Sequence, residues 1–319
     1  MLNRNKSIFR GQKVSYYEHT SGIINTKKPL LKSAILPVFA LACLVGIGGF
    51  FSYQNVFNKP IQVSQNATPI SAVEPASKPE IITEQKTTKP YEDKNLTTSL
   101  RSVIARNGGQ GEYSIVVRDL NSGRSVNIES SQKMPAGELY KLFLLPSLER
   151  KTDAVEWNKW LNGKNNIGNC VKEMVRSVEN RCGEAVAKYI DIKTVDSYNK
   201  NLGLNSTHIE DIEKSTTTAQ DVSEVIYRLQ TSQLLSDKGR RTFFDGFYEQ
   251  KNRKGIPIGC GSTCLVGNKT SEQGDYRYDA AVVTSGKTKY VLVIMSKGSN
   301  WQLIGDITKG IDYHMKHVD

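Results

Sequence analysis

Glu138 and Lys141 are the residues whose types and spacing most directly suggest chemistry. They stand three positions apart in Met134–Leu145, a segment that predicts a helix with apolar residues on almost every face. A lysine enclosed in this way must find an anionic partner or lose its proton. Glu138 lies one helical turn away, so the spacing predicts an ion pair at the entrance of a buried helix.

These residues resemble a motif of the serine β-lactamases and penicillin-binding proteins. In that family a Ser-x-x-Lys motif opens a central helix, and its serine attacks the carbonyl carbon of the substrate. Residues 135–143 of this chain match the surroundings of the motif, but Glu138 stands at the position of the serine. The family's Ser-Asp-Asn triplet corresponds to residues 178–180, where Val178 replaces a second hydroxyl and Asn180 is kept. Asn180 could bond a ligand or cap its loop.

A third segment, residues 267–271, resembles the Lys-Thr-Gly strand that lines the opposite wall of the family's cleft. The resemblance implies that Lys269 and Thr270 hold a substrate carboxylate through charge-assisted and hydroxyl hydrogen bonds. Ser271 replaces the glycine and so limits close approach of a ligand backbone. Class A enzymes also carry a glutamate loop that activates the hydrolytic water, and residues 205–214 lack the spacing of that loop.

Acyl transfer needs an attacking hydroxyl, a base and donors for the oxyanion. Because Glu138 and Val178 occupy the hydroxyl positions, the resemblance implies a cleft that keeps its shape and has lost hydrolysis. We therefore predict a catalytically impaired β-lactamase-like domain that binds a peptidoglycan fragment, a β-lactam or a protein partner. The residues expected to serve this binding are Lys141, Asn180, Lys269 and Thr270.

Two alternatives stay open. The first is an active β-lactamase or D,D-peptidase with an unusual nucleophile, for which Ser177 is the candidate, one position before the triplet. The second is a structural module without a ligand. No glycine-rich phosphate loop, Gly-x-Ser-x-Gly elbow or His-Glu-x-x-His motif occurs, and the histidines do not cluster with acids at metal spacing. We therefore expect neither a metal nor a cofactor.

The elements that would carry these residues indicate an α+β fold. A helix near residues 96–104 and two strands, Tyr113–Arg118 and Ser125–Ile128, precede a mostly helical middle from Leu139 to Gly246. Two further strands and a closing helix follow: Tyr278–Val283, Lys289–Ile294 and Leu303–His317. This order predicts an antiparallel sheet packed against a helical lobe. The family resemblance, which covers residues 95–319, implies a three-layer α/β/α sandwich with helices on both sheet faces.

The N-terminal third indicates a membrane anchor. Residues 1–32 carry seven basic residues and one acid, and residues 33–53 have no charge, which is enough for one membrane-spanning helix of about 20 residues. The basic flank places the N-terminus in the cytoplasm and residues 94–319 outside the cell. A cleaved signal peptide is the alternative. Residues 54–93 are rich in Pro, Thr, Ser and charged residues, which predicts a disordered linker.

The net charge of +11 does not indicate nucleic-acid binding, because about half of it lies in residues 1–32, where it suits anionic lipid. The cysteines agree with an extracellular domain. Apart from Cys43 in the predicted anchor, they form two local pairs, Cys170 with Cys182 and Cys260 with Cys264. Outside the cytoplasm such pairs usually form disulfides. A zinc site is the alternative.

Overall fold

The computed structural model describes residues 91–106, 111–152, 156–231 and 234–317. The chain divides into two units, residues 1–81 and 82–319, and all the described residues belong to the second. The predicted cytoplasmic segment, the predicted membrane helix and the predicted linker up to residue 90 lie outside them. In the part of the chain that is described, no helix is both long and apolar enough to cross a membrane.

A six-stranded sheet organises the described residues. Its strands are β1 (Tyr91–Glu92), β2 (Glu112–Asp119), β3 (Arg124–Ile128), β6 (Cys264–Gln273), β7 (Tyr276–Ser285) and β8 (Thr288–Lys297), with β4 (Met134–Pro135) and β5 (Thr216–Thr217) forming a separate pair. The order across the sheet is β1-β3-β2-β8-β7-β6. Neighbours run antiparallel, as predicted, except that β1 and β3 are parallel. The fold therefore includes residues 91–93, which precede the predicted start of the domain.

Nine helices lie in the described residues. They are α1 (Lys94–Arg106), α2 (Tyr140–Lys151), α3 (Ile167–Arg176), α4 (Asn180–Ile190), α5 (Val195–Asn201), α6 (Ala219–Gln230), α7 (Asp237–Tyr248), α8 (Ile256–Cys260) and α9 (Trp301–His317). We call α2 to α7 the helical lobe. Within the predicted helical middle, residues 216 and 217 instead form β5, and α6 begins at Ala219. Thr218 caps the helix by accepting the Asp221 N–H at 3.1 Å.

The two faces of the sheet have separate cores, because side chains alternate along each strand. Val116, Val291 and Val293 pack with α2, α3, α4, α6 and α7 on one face. On the other face Ile115, Leu292 and Ile294 pack with α1, α8 and α9. Helices thus cover both faces, and the mixed α+β class is as predicted. All residues of α2 from Tyr140 to Leu148 are buried, which agrees with the apolar pattern on almost every face of that segment.

The four cysteines of the domain form the two predicted local disulfides. Cys170 in α3 bonds to Cys182 in α4, with their Cα atoms 4.7 Å apart. Cys260 at the end of α8 bonds to Cys264 at the start of β6, with a Cα separation of 5.9 Å. The first bond joins the two helices on either side of residues 177–179, the loop that reaches the cleft described below.

Removing these disulfides should cost different amounts of stability. The first closes a loop with a sequence separation of 12 and the second a loop of 4. If loop entropy dominates, replacing Cys170 and Cys182 by alanine should lower the free energy of unfolding by about 3 kcal/mol, and replacing Cys260 and Cys264 by about 2 kcal/mol. Urea unfolding of the full chain measures both. The reverse ranking would show that strain in the folded state, rather than loop length, decides.

Candidate functional site

A cleft of about 850 Å³ lies between the helical lobe and β6. Its lining consists of Glu138, Ser177, Val178, Glu179, Gln250, Lys251, Asn252, Arg253, Lys254, Thr270 and Glu272. Three separate parts of the chain contribute: the entrance of α2, the loop between α3 and α4, and the segment from α7 to β6. These are the three places where the sequence carries its family-like motifs.

A tight turn before α2 positions Glu138. The Ala136 N–H donates to the Ser215 carbonyl at 2.8 Å, and residues 137–139 form a single 3-10 turn. Gly137 has φ of +49°, and a Cβ at this position would come within 2.3 Å of Ser271 Oγ. Only glycine fits there for two reasons: other residues rarely adopt this positive φ, and a Cβ would clash with Ser271 of β6. The turn thus holds residue 138 directly against the strand.

The Glu138 carboxylate bridges two buried lysines. Its Oε2 lies 2.7 Å from Lys141 Nζ and 3.4 Å from Lys269 Nζ. Both lysine side chains are 0% exposed, whereas the Glu138 side chain is 18% exposed at the cleft surface. The ion pair expected from the spacing of residues 138 and 141 is therefore present. A second cation shares the same carboxylate, so these three groups carry one positive charge in excess when all are ionised.

Lys141 also joins the entrance of α2 to the start of α4. Its Nζ donates to the Glu179 carbonyl at 3.0 Å and to Asn180 Oδ1 at 3.2 Å. Glu179 caps α4 by accepting the N–H groups of Arg181 and Cys182, which holds the loop in place. The structure thus gives Asn180 a partner within the cleft, although sequence left its orientation open.

Lys269 is held by three acceptors from the other wall. Besides Glu138, its Nζ donates to the Met174 carbonyl at 2.9 Å and to the Ser177 carbonyl at 2.6 Å. The pKa of Lys269 is lowered to about 7, mainly by burial and also by the charge of Lys141, and Glu138 partly offsets both effects. Lys269 therefore titrates near neutral pH, and its hydrogen bonds connect β6 to the helical lobe.

The two residues after Lys269 differ in their partners. Ser271 Oγ accepts the backbone N–H of Glu138 at 3.0 Å. Thr270 Oγ1 is buried, with its residue 1% exposed, and has no hydrogen-bond partner in the described residues, yet Thr270 lines the cleft. A buried hydroxyl without a partner is costly, so Thr270 is the cleft group that most needs a ligand.

Ser177 and Val178 lie at the opposite rim. The Ser177 hydroxyl donates to the Glu173 carbonyl at 3.1 Å and accepts the Glu179 N–H at 3.3 Å. Lys269 contacts the carbonyl of Ser177, not its hydroxyl. Val178 is 59% exposed and gives the rim an apolar surface. Ser177 is the alternative nucleophile suggested by the sequence. In the structure its hydroxyl instead makes two hydrogen bonds that close the loop between α3 and α4.

One expectation about the histidines is wrong. His208 Nδ1 contacts the Asp196 carboxylate, and its Nε2 lies 3.8 Å from Glu210 Oε2. Asp196 lies in α5, 12 positions before His208, so local spacing did not predict this cluster. It is one of two groups in the described residues whose composition and spacing could hold a metal. The other, Cys260 and Cys264 with Asp312, contains a disulfide. The His208 backbone pairs with Thr216, which braces the segment before β5.

The chain matches a family model described as the beta-lactamase enzyme family over residues 95–158 and 155–313. No curated protein sequence matches it significantly.

Solved structures show the same fold at low sequence identity. PBP-A is 16% identical, with a TM-score of 0.66, and covers 73% of this chain and 100% of its own. A class A beta-lactamase from Clostridium kluyveri is 15% identical, with a TM-score of 0.61 and coverage of 70% and 100%. A beta-lactamase from Desulfarculus baarsii is also 15% identical, with a TM-score of 0.59 and coverage of 69% and 96%.

Proposed function

The chain belongs to the beta-lactamase enzyme family, and we propose that within it this protein binds a ligand in the cleft without hydrolysing it. The observation that carries the proposal is the Glu138 carboxylate bridging Lys141 and Lys269. A carboxylate at this position is a weak nucleophile. Its Oε2 is engaged by the Lys141 and Lys269 side chains, which makes attack on a carbonyl carbon less favourable still.

The other polar groups of the cleft support loss of hydrolysis. Val178 offers no hydroxyl for proton transfer, and the Ser177 hydroxyl is engaged with the Glu173 carbonyl. Catalytic groups of this kind act as a unit, so the loss of several removes far more than the loss of one. A serine hydrolase that used Ser177 would first have to break the hydrogen bonds that close its loop. We therefore favour the binding function over the catalytic alternative.

The ligand that fits the retained groups is a peptide with a free carboxylate, as in the stem peptides of peptidoglycan. Thr270 offers an unpartnered buried hydroxyl, and Lys251 and Lys254 are exposed on the cleft lining. A cleft that offers both a hydroxyl and cationic groups suits a carboxylate, which accepts charge-assisted hydrogen bonds. The apolar Val178 at the rim suits the alkyl part of such a peptide. A β-lactam or a protein segment with an acidic end offers the same chemistry.

We also propose that the domain works outside the cell, attached to the membrane by residues 33–53. The basic residues before this uncharged segment and the two disulfides support that topology. The segment of residues 54–90 would then act as a spacer between the membrane and the cell wall. Protease accessibility of the domain in intact cells tests this arrangement: cleavage from outside is expected, and full protection would contradict it.

Binding without hydrolysis can be tested on the full chain in detergent micelles. We expect no adduct by intact mass after exposure to a fluorescent penicillin and no turnover of a chromogenic cephalosporin. A synthetic stem peptide should bind with its free carboxylate and at least tenfold more weakly as its C-terminal amide. Thr270→Val should weaken binding of the free acid by about tenfold, whereas Thr98→Val on the exposed face of α1 should not.

Three results would count against the proposal. A penicillin adduct on the unaltered chain would show that acyl transfer survives. Turnover that Ser177→Ala abolishes would establish the catalytic alternative. Equal binding of the acid and the amide, or none of either, would exclude the carboxylate ligand.

A further inference from the structure

We propose that Ser271 is a second block to acyl transfer at residue 138, separate from the missing hydroxyl, because it occupies the backbone donor that an oxyanion would need. This inference rests on the proposed function and deepens it. It also predicts that a serine at position 138 alone does not restore fast acyl transfer. A serine introduced at position 138 would attack a carbonyl while the N–H of the same residue was already engaged by Ser271.

The donor in question is the N–H of Glu138. The first N–H groups of a helix have no partner within the helix, and the helix dipole favours negative charge beside them. Glu138 lies in the single turn that leads into α2, so its N–H is one of these groups. A carbonyl attacked by the side chain of residue 138 brings its oxygen close to that residue's own N–H, where an oxyanion would be stabilised.

In this chain the donor already has an acceptor. The Glu138 N–H donates to Ser271 Oγ at 3.0 Å. Ser271 is 2% exposed, and it is absent from the cleft lining even though its neighbours Thr270 and Glu272 belong to it. The serine hydroxyl therefore lies behind the cleft surface, between β6 and the turn before α2, and covers the N–H from that side.

The packing leaves no space for a ligand oxygen at the same place. A Cβ on Gly137 would lie 2.3 Å from Ser271 Oγ and 3.4 Å from its Cβ, so the turn and the strand are in close contact. Ser271 pairs with Tyr278, the third pair from the turn between β6 and β7, so this part of the strand cannot move away without losing main-chain hydrogen bonds. A ligand oxygen must therefore displace the hydroxyl itself.

The main experiment compares labelling by a fluorescent penicillin in four full-length proteins: unaltered, Ser271→Gly, Glu138→Ser, and the double variant. In a successful reaction the introduced hydroxyl oxygen bonds to the lactam carbonyl carbon, the ring C–N bond breaks, and the hydroxyl proton passes to the nitrogen. We expect no labelling of the first two proteins. The double variant should be labelled at least about 100-fold faster than Glu138→Ser, the effect of one oxyanion donor.

Controls separate this inference from the function on which it rests. Glu138→Ser combined with Ser285→Gly, in β7 away from the cleft, should be labelled no faster than Glu138→Ser alone. Equal labelling of Glu138→Ser and the double variant would overturn the role of Ser271, as would a folded double variant that is not labelled. Labelling of the unaltered chain would instead contradict the proposed function.

A second measurement does not depend on the stability of the Glu138→Ser variants. In the chain that retains Glu138, hydrogen exchange at the Glu138 amide should become at least tenfold faster in Ser271→Ala. Ser271→Thr keeps the hydroxyl and should keep the slow rate. Exchange that stays slow in Ser271→Ala would show that the hydroxyl does not hold this N–H, and the inference would fail.

Discussion

Replacing Glu138 with glutamine is expected to lower the free energy of unfolding by about 3–5 kcal/mol, the cost of leaving a buried charge without its partner. The change keeps the size of the side chain and removes only its charge. Lys141 and Lys269 are both fully buried and share this one carboxylate. Without it the two buried lysines remain beside each other in a site of low polarity, where charge repulsion and desolvation both oppose their protonated forms.

Glu249→Gln is the matched control for this measurement. Glu249 also bridges two cations, Lys172 and Arg176, but its side chain is 49% exposed. Solvent screens such pairs, so we expect only a small fraction of the loss seen at Glu138. Urea unfolding of the two variants at the same pH gives the comparison. Similar losses in both would mean that the Glu138 bridge contributes no more than a surface ion pair. A double variant, Glu138→Gln with Lys269→Gln, should recover part of the stability.

The stability of the protein should also rise with pH from about 7 towards 10 because of Lys269. Burial lowers the pKa of Lys269 to about 7 in the folded state, against 10.5 for an ordinary lysine. Between these values the folded protein has lost this proton and the unfolded chain still binds it. Unfolding then takes up a proton, so the free energy of unfolding increases with pH. Below pH 7 both states bind the proton, and this contribution no longer changes.

Lys269→Met tests the size of this contribution. The difference between the unaltered chain and the variant cancels the titration of every group that does not interact with Lys269. The slope of that difference should reach about 1.4 kcal/mol per pH unit between pH 8 and 10. Lys309→Met, at an exposed position of α9, should leave the slope of the unaltered chain unchanged. A difference in unfolding free energy that does not change between pH 8 and 10 would show that Lys269 stays protonated in the folded state. Its three hydrogen-bond acceptors would then stabilise the charged form more than burial destabilises it.

The fold was largely predictable because its signals are local. Helical periodicity near residues 96–104 and the continuous apolar runs of β7 and β8 come from burial against the two cores, which the sequence records directly. The pair of residues 138 and 141 was predictable for the same reason, since helix spacing brings them together. Strand β1 was not predictable, because two residues after a proline-rich segment carry no periodicity.

The contacts across the cleft could not be derived from spacing. Lys269 reaches Glu138 from a strand 131 positions further along the chain, and no local pattern indicates that the two share a carboxylate. The family resemblance placed both residues in one cleft, but in it Ser271 was only a bulkier substitute for glycine. Its hydrogen bond to the Glu138 N–H depends on the tight turn at Gly137. Asp196 and His208 meet through packing of α5 in the same way.

The bonds from Lys269 to the carbonyls of Met174 and Ser177 have a mechanical consequence. They join β6 to the end of α3 and to the loop that follows it, so the cleft cannot widen without breaking these hydrogen bonds and exposing the buried Lys269 amine. The width of the cleft is therefore fixed before a ligand binds. Such preorganisation limits the loss of conformational entropy on binding. It also favours ligands whose shape already fits the cleft, because the cleft does not close around them.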